Sequence, residues 1–238
     1  AEPAFFGLAE ANAKVRVYAN SVLVGQGVVH SDESDGDNAN GLGVWEVTVE
    51  PLANGDYTIE VEVEDLAGHV SQRAALGAVL TIDGTYPQRP TMDLVAAHDS
   101  GASDLDNVTR QSPDASGLYS FTVTAEAGTM VVIKDGNTVI DAFVSTGSDI
   151  HPLSLTEGTH LLSAESTDAA GNVSHQSEEL VVTIDLTPPA APAAAVLLAS
   201  SDTGTTGDGV TSIRQPAFSG VAEANALVGV VATNIATG

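Results

Sequence analysis

An all-β fold of repeated sandwich units is what this sequence predicts, and three observations carry the prediction. Short runs rich in Val, Ile, Leu and Thr alternate with clusters of Gly, Asn, Asp and Pro, which is the pattern of many strands joined by turns. No helical period of useful length interrupts them; the Ala-rich stretch from Ala222 to Ala226 reads as a turn. A set of motifs returns in one order at nearly one spacing.

The strand signals are local. Val15 and Val17, then Val22 and Val24, flank an Ala19-Asn20-Ser21 turn, and Val131 to Ile133 with Val139-Ile140 flank Asp135-Gly136-Asn137, a hairpin signal. Tyr57, Ile59, Val61 and Val63 alternate with Thr58, Glu60 and Glu62, so one face meets a core and the other water. The matching stretch His160, Leu162, Ala164, Ser166 is less regular. Gly55-x-Tyr57-x-Ile59 has the spacing of the tyrosine corner of immunoglobulin-like sandwiches, with Ile59 where antibody domains carry cysteine. Trp45, the only tryptophan, precedes Val47 and Val49 at strand spacing and reads as core, with a ligand platform as the alternative.

The repeat sets the domain plan. Asp65-Leu-Ala-Gly68-His69-Val-Ser71 returns as Asp168-Ala-Ala-Gly171-Asn172-Val-Ser174, 103 residues on. Leu80-Thr-Ile-Asp83 with Pro87 and Pro90 returns as Val182-Thr-Ile-Asp185 with Pro189 and Pro192. Asp99-Ser-Gly101 and Asp106-Asn-Val-Thr109 return as Asp202-Thr-Gly204 and Asp208-Gly-Val-Thr211. Pro3 with Ala9-Glu-Ala-Asn12 matches Pro216 with Ala222-Glu-Ala-Asn225, and Ala125-Glu126-Ala127-Gly128 stands between them. Units of about a hundred residues suit an immunoglobulin-like sandwich. The expected division is 1–90, a repeat without its opening strand; 91–192, a complete repeat; and 193–238, the first part of a third. The third part is then either poorly ordered or paired with another chain, or the sequence is a circularly offset piece.

Charge narrows the function. Seven Lys and Arg against 32 Asp and Glu give −25, which disfavours nucleic acid and anionic lipid as partners. The absence of cysteine removes disulfides and thiolate-zinc sites. No signal peptide or membrane-spanning run is visible, and both ends read as cuts through a repeat. The six His form no H-E-x-x-H pattern, and neither a G-x-S-x-G elbow nor a phosphate loop appears, so an enzyme is not expected.

The recurring carboxylates fall where repeats meet. Asp65 and Asp168 follow a strand, Asp83 and Asp185 close the last strand before a Pro-containing linker, and Asp99, Asp104, Asp106, Asp202 and Asp208 open the next repeat. If the end of the last strand and the neighbouring turn share one pole, these groups meet at an interdomain point. Clustered carboxylates repel unless a cation compensates them, and Ca²⁺ takes six to eight oxygens of this kind. The candidate ligands are Asp65, Asp83, Asp99, Asp104, Asp106, Asp168, Asn172, Asp185, Asp202 and Asp208. Turn-capping through their own amides is the competing role. Asp32, Asp35 and Asp37, in an acidic run present only in the first copy, form either a solvated loop or a weaker calcium loop without EF-hand spacing. Thr187-Pro188-Pro189 and Pro192 hold the connection extended, as Tyr86-Pro87 and Pro90 do less fully, so sandwiches clamped at such joints form a rod.

Asp168 to Ser174, Ile184 to Pro192 and Ser201 to Gly204 together resemble the bacterial immunoglobulin-like repeats of very large, type I-secreted RTX-type adhesins. The first copy departs, with His69 for Asn and Gly84-Thr-Tyr-Pro87 for the double-proline form. The resemblance implies an extracellular, cell-surface extender, stiffened by calcium, that holds an adhesive tip away from the cell. Its partners are then the neighbouring repeats of the same chain. The alternative is a module that itself binds glycan or a host or neighbour-cell surface protein.

Overall fold

A computed structural model describes residues 2–31, 36 and 40–233. Among these there are strands and turns and no helix. The first eight strands are β1 (Ala4–Glu10), β2 (Lys14–Ala19), β3 (Val22–Val28), β4 (Leu42–Thr48), β5 (Gly55–Tyr57), β6 (Ile59–Glu64), β7 (Ala74–Ala75) and β8 (Leu80–Ile82). They form a sheet of order β3-β2-β6-β7, the pair β1-β4 and the pair β5-β8. The next eight are β9 (Thr91–Leu94), β10 (Val108–Thr109), β11 (Tyr119–Thr124), β12 (Met130–Asp135), β13 (Thr138–Val144), β14 (Ser148–Leu153), β15 (Gly158–Thr167) and β16 (Leu180–Ile184). Here a sheet β10-β16-β15-β12-β13 faces a sheet β14-β11-β9. Beyond them, β17 (Val196–Leu197) pairs with β18 (Phe218–Ser219).

Each of the first two units has its own core, and strand alternation builds it. In β2 Val15, Val17 and Ala19 point inward while Lys14, Arg16 and Tyr18 point out. In β11 Tyr119, Phe121 and Val123 do the same. One core joins Val15, Val17, Trp45, Val47 and Ile59; the other joins Leu94, Phe121, Ile133, Leu162 and Val182. Trp45 is thus a core residue. Its ring lies so close to β1 that a Cβ on Gly7 would sit 2.9 Å from it, which is why a glycine stands there. The irregular stretch of β15 is also inward-facing, with Leu162, Ala164 and Ser166 all buried.

The turns behave as their residues dictate. Asn20 and Ser21 both take positive φ and close the β2–β3 hairpin. The Tyr57 hydroxyl donates to the Ala53 carbonyl at 3.0 Å, closing the corner that the spacing predicts. Serines finish an edge that no strand covers among the described residues: Ser174 N and Ser177 N donate to the carbonyls of Ser166 (2.8 Å) and Ala164 (2.7 Å) on β15. Their hydroxyls accept from the Ser166 and Ala164 amides at 2.9 Å. Ser71 does the same for Val63 on β6. These hydroxyls stand in for backbone carbonyls and blunt an exposed edge.

One contact gives the second unit a pH dependence. Both ring nitrogens of His160 face acceptors, Nδ1 the Asp135 carboxylate at 2.7 Å and Nε2 the Thr156 carbonyl at 2.9 Å. Burial pulls its pKa down, but the carboxylate and carbonyl outweigh burial and raise it. A His raised on folding stabilises the fold below its ordinary value of about 6.5, and that support fades as pH climbs through the raised value. The second unit should therefore lose about 1 kcal/mol between pH 6 and pH 9, as charge-assisted bonds of this size allow. In His160→Gln the two melting temperatures should coincide, checked by calorimetry at both pH values.

Candidate metal centre

The acidic residues divide between opposite ends of the sandwich. Gly158 pairs with Ile184 and Leu162 with Leu180, so β15 runs away from the end of β16. Asp185, just past β16, and Asp168, just past β15, therefore lie at opposite poles. The expectation that the last strand and the neighbouring turn share one pole does not hold. The Asp168 turn instead meets the preceding unit: Asn172 Nδ2 donates to the Asp83 carbonyl at 3.0 Å.

At that junction the carboxylate is fully engaged. Asp168 Oδ1 accepts from the amides of Ala170 and Asn172, each at 2.9 Å, and Oδ2 accepts from Asn172 Nδ2 at 2.9 Å. The Asn172 side chain first and these amides next hold its pKa below the usual carboxylate range. Asp65 repeats the arrangement, with His69 Nδ1 at 2.9 Å from Oδ2 and the Ala67 and His69 amides on Oδ1. That contact lowers the Asp65 pKa and raises that of His69. Asp83 and Asp185 each accept from the amide two residues on, Thr85 N at 2.9 Å and Thr187 N at 3.0 Å. These four carboxylates all cap turns.

Asp99 is different. It is 7% exposed, its Oδ2 accepts from Asn107 N at 3.1 Å, and its Oδ1 is buried with no partner. Burial, and then the neighbouring Asp106 carboxylate, push its pKa up. Asp106 accepts from Val108 N and Ser103 N, both at 3.1 Å. A Cβ on Gly101 would stand 2.6 Å from Asp106 Oδ1 and 2.8 Å from the Val108 carbonyl, so only glycine lets the loop close over these oxygens. Ser100 and Thr109 hydroxyls lie 3.2 Å apart beside it. Asp185 N donates to the Thr109 carbonyl at 2.8 Å, and an open groove of about 530 Å³ runs between Ser100, Gly101, Thr109 and the Asp185–Pro189 linker. Asp104 is exposed on this loop.

The third copy repeats the motif. Asp202 Oδ2 accepts from Gly207 N at 2.6 Å, while its Oδ1 is again buried and unpartnered. Asp208 Oδ1 accepts from Val210 N at 2.8 Å. Ser212 N donates to Thr203 Oγ1 at 2.8 Å, as Arg110 N donates to Ser100 Oγ at 3.1 Å. Among the described residues no three Asp, Glu or His side chains converge on one point. A cation here would draw on two carboxylates and fill its shell with carbonyl, hydroxyl and water oxygens. Asp32, Asp35 and Asp37 lie outside the described residues.

Sequence reasoning missed the groups that tie the linkers. Glu223 Oε2 accepts from Ala190 N at 2.9 Å, and Thr187 Oγ1 bonds Glu157 at 2.6 Å. Arg89 pairs with Glu178. The recurrence of Ala-Glu-Ala at Glu10, Glu126 and Glu223 was the available signal for the first of these.

Paired sheets, repeated along the chain and closed in the first unit by the Tyr57 corner, define a tandem immunoglobulin-like module, a class that is typically structural and non-catalytic. The bacterial Ig-like domain family matches twice, over residues 1–84 and 86–186, and the chain belongs to it. Such domains commonly occur in extracellular or surface proteins. No curated protein sequence matches the chain. Among solved structures, it is similar to fibronectin(III)-like modules of CbhA from Clostridium thermocellum, at 14% identity and a TM-score of 0.41, over 74% of this chain and 79% of that one. It is also similar to a chimeric titin Z1Z2 tandem carrying an exogenous GRGDS peptide from fibronectin, at 13% identity and a TM-score of 0.28, over 77% and 92% of the two chains.

Proposed function

We propose that the chain is a calcium-stiffened spacer segment of a bacterial surface adhesin, exported by type I secretion and folded in external calcium. The observation that carries this reading is the buried, unpartnered Oδ1 of Asp99 beside Asp106, with the same orphan at Asp202. A desolvated carboxylate with a second one next to it costs free energy that a hard cation removes. The surrounding donors are oxygens without thiolate or imidazole, which favours Ca²⁺ over zinc, and the irregular loop suits its flexible shell better than the strict octahedron of Mg²⁺. Asp99, Asp106 and the Val108 carbonyl are the ligands assigned to the second unit, and Asp202 and Asp208 to the third.

Stiffness follows from position. The loop lies against the root of the Asp185–Pro189 linker, so an ion that orders it also orders the exit from the unit. At the other pole the Asn172 bond to Asp83 couples the entry turn to the preceding unit. Prolines at 188, 189 and 192 keep the connection extended. Calorimetric titration should give a dissociation constant of about 10⁻⁴–10⁻³ M, the range of extracellular calcium modules. A nanomolar site, or no calcium heat at all, would overturn the proposal.

A further inference from the structure

The larger sheets of the first two units turn different faces to solvent. In the first unit the outer face is a lattice of charges. Arg16 on β2 pairs with Glu62 at 3.1 Å and with Glu64, both on β6. Arg73 pairs with Glu60 at 3.3 Å and Glu62 at 3.4 Å, and lies 3.6 Å over the Tyr18 ring.

Register fixes the counterparts in the second unit. Lys14, Arg16 and Tyr18 face Glu64, Glu62 and Glu60, as Met130, Val132 and Lys134 on β12 face Thr167, Glu165 and Ser163 on β15. On the other side Arg16 faces Gln26 of β3, and Val132 faces Ala142 of β13. Arg16 is thus replaced by Val132, Lys14 by Met130 and Gln26 by Ala142. Lys134 and Glu165 are the charges left at these positions, and they pair with each other at 2.9 Å.

The result is a neutral, apolar patch on a chain of net charge −25. Met130, Val139, Ala142 and Val144 are exposed around a half-buried Val132. Val131 and Ile133, between them on β12, point into a core of their own unit, so these side chains point outward by strand alternation. Among the described residues no strand covers the free side of β13, where the patch ends.

We propose that this patch is a lateral contact between two copies of the chain, related by a two-fold axis. A plain apolar partner would bury the Lys134–Glu165 pair with nothing to offset its lost hydration. A second copy supplies the offset. A two-fold axis lying in the contact plane and bisecting the line from Lys134 to Glu165 sets each Lys134 over the partner's Glu165. With strands about 4.8 Å apart and a rise of about 3.3 Å per residue, further pairs follow from that axis. Val132 meets the partner's Val132, Ala142 the partner's Ala142, and Met130 the partner's Val139. The strands of the two copies cross steeply, as in orthogonal sheet packing. The contact is isologous, so it closes at two copies.

It is also small. Three strands six residues long cover roughly 300 Å² per copy, against about 800 Å² per partner in a standard interface. The dissociation constant should therefore be about 0.1–1 mM. Copies standing side by side on one surface, as the spacer reading places them, reach such local concentrations. The contact itself does not depend on that reading.

Sedimentation equilibrium on the full chain, up to millimolar protein in chelator and physiological salt, tests this without involving calcium. That salt confines repulsion between the outlying carboxylates to about 8 Å. A monomer–dimer equilibrium is expected, weakened about ten-fold or more by Val132→Arg, which installs the residue the first unit carries. The new Arg can pair with Glu165 as Arg16 does with Glu62, so the fold is kept; an unchanged melting temperature checks this. Lys134→Glu and Glu165→Lys separate the proposed register from general stickiness. Each variant alone sets like charges against each other across the axis and should dimerise about ten-fold more weakly or worse. An equimolar mixture of the two restores both pairs and should associate as tightly as the wild type. A chain monomeric at millimolar concentration, association that Val132→Arg leaves unchanged, or a mixture no tighter than its components overturns the proposal.

Discussion

Calcium at about 10 mM should raise the melting temperature of the second unit by about 6–20 °C, and Asp99→Asn should abolish that rise. A ligand that binds only the folded state stabilises it by RT ln(1 + [L]/Kd), which for a Kd of about 10⁻⁴–10⁻³ M gives about 1.4–2.7 kcal/mol. For a domain of this size each kcal/mol moves the midpoint by about 4–8 °C. In chelator the same substitution should cost no more than about 1 kcal/mol, because the amide removes a buried charge while its oxygen still accepts from Asn107 N. The pH dependence has a definite sign. A carboxylate whose folded pKa lies above its unfolded value makes the fold more stable as pH falls through that raised value. Chelated wild-type protein should gain from Asp99 on mild acidification, and the gain should be missing from Asp99→Asn. At lower pH the depressed carboxylates of Asp168, Asp135 and Asp149 take over, and their support is lost as they protonate. Differential scanning calorimetry of both proteins, with and without calcium, reads all of these.

Phe121→Ala should destabilise the second unit by about 3–5 kcal/mol, enough to lower its midpoint by about 15 °C or more. Phe121 is fully buried between Leu94, Val123, Ile133 and their neighbours in a core that shares no residue with that of the first unit. The loss should therefore stay local. Trp45 is the only tryptophan and lies in the first core, so its fluorescence reports that unit alone. Calorimetry should show one transition moved down while the Trp45 midpoint stays put. A Trp45 transition that moved by the same amount would mean that the two sandwiches unfold as one body.

Much of this fold was legible because its determinants are short-range. Alternation in β2 and β6, the Asn20-Ser21 hairpin and the Tyr57 corner each depend on residues a few positions apart. The twofold family match follows the same repeat that aligns Asp65 with Asp168. The Ser71, Ser174 and Ser177 edge bonds were not legible, since a serine that replaces a backbone carbonyl looks like any loop serine. The recurring acidic residues were legible as a motif, but where they lie in space was misread. Motif order along the chain does not say which pole a turn occupies; the antiparallel course of β15 and β16 does, and it sends Asp168 and Asp185 apart. Nor does the sequence reveal that Asp168 is satisfied by Asn172 and its own turn while Asp99 keeps an orphaned oxygen. That contrast depends on burial. It moves the weight of the calcium assignment from the interdomain turn to the opening loop. Replacing Asp168 and Asp185 would accordingly perturb opposite ends of one unit.

Small-angle X-ray scattering on the intact chain, first in millimolar calcium and then in excess chelator, tests the stiffening most directly. With calcium the pair-distance distribution should end sharply at a long maximum dimension, as linked sandwiches held in line require. After chelation it should broaden and its end-point should shift, because the loop beside Asp185 and the linker is released. Superimposable curves in the two conditions would contradict the account and leave Asp99 and Asp106 as loop residues without a role in extension.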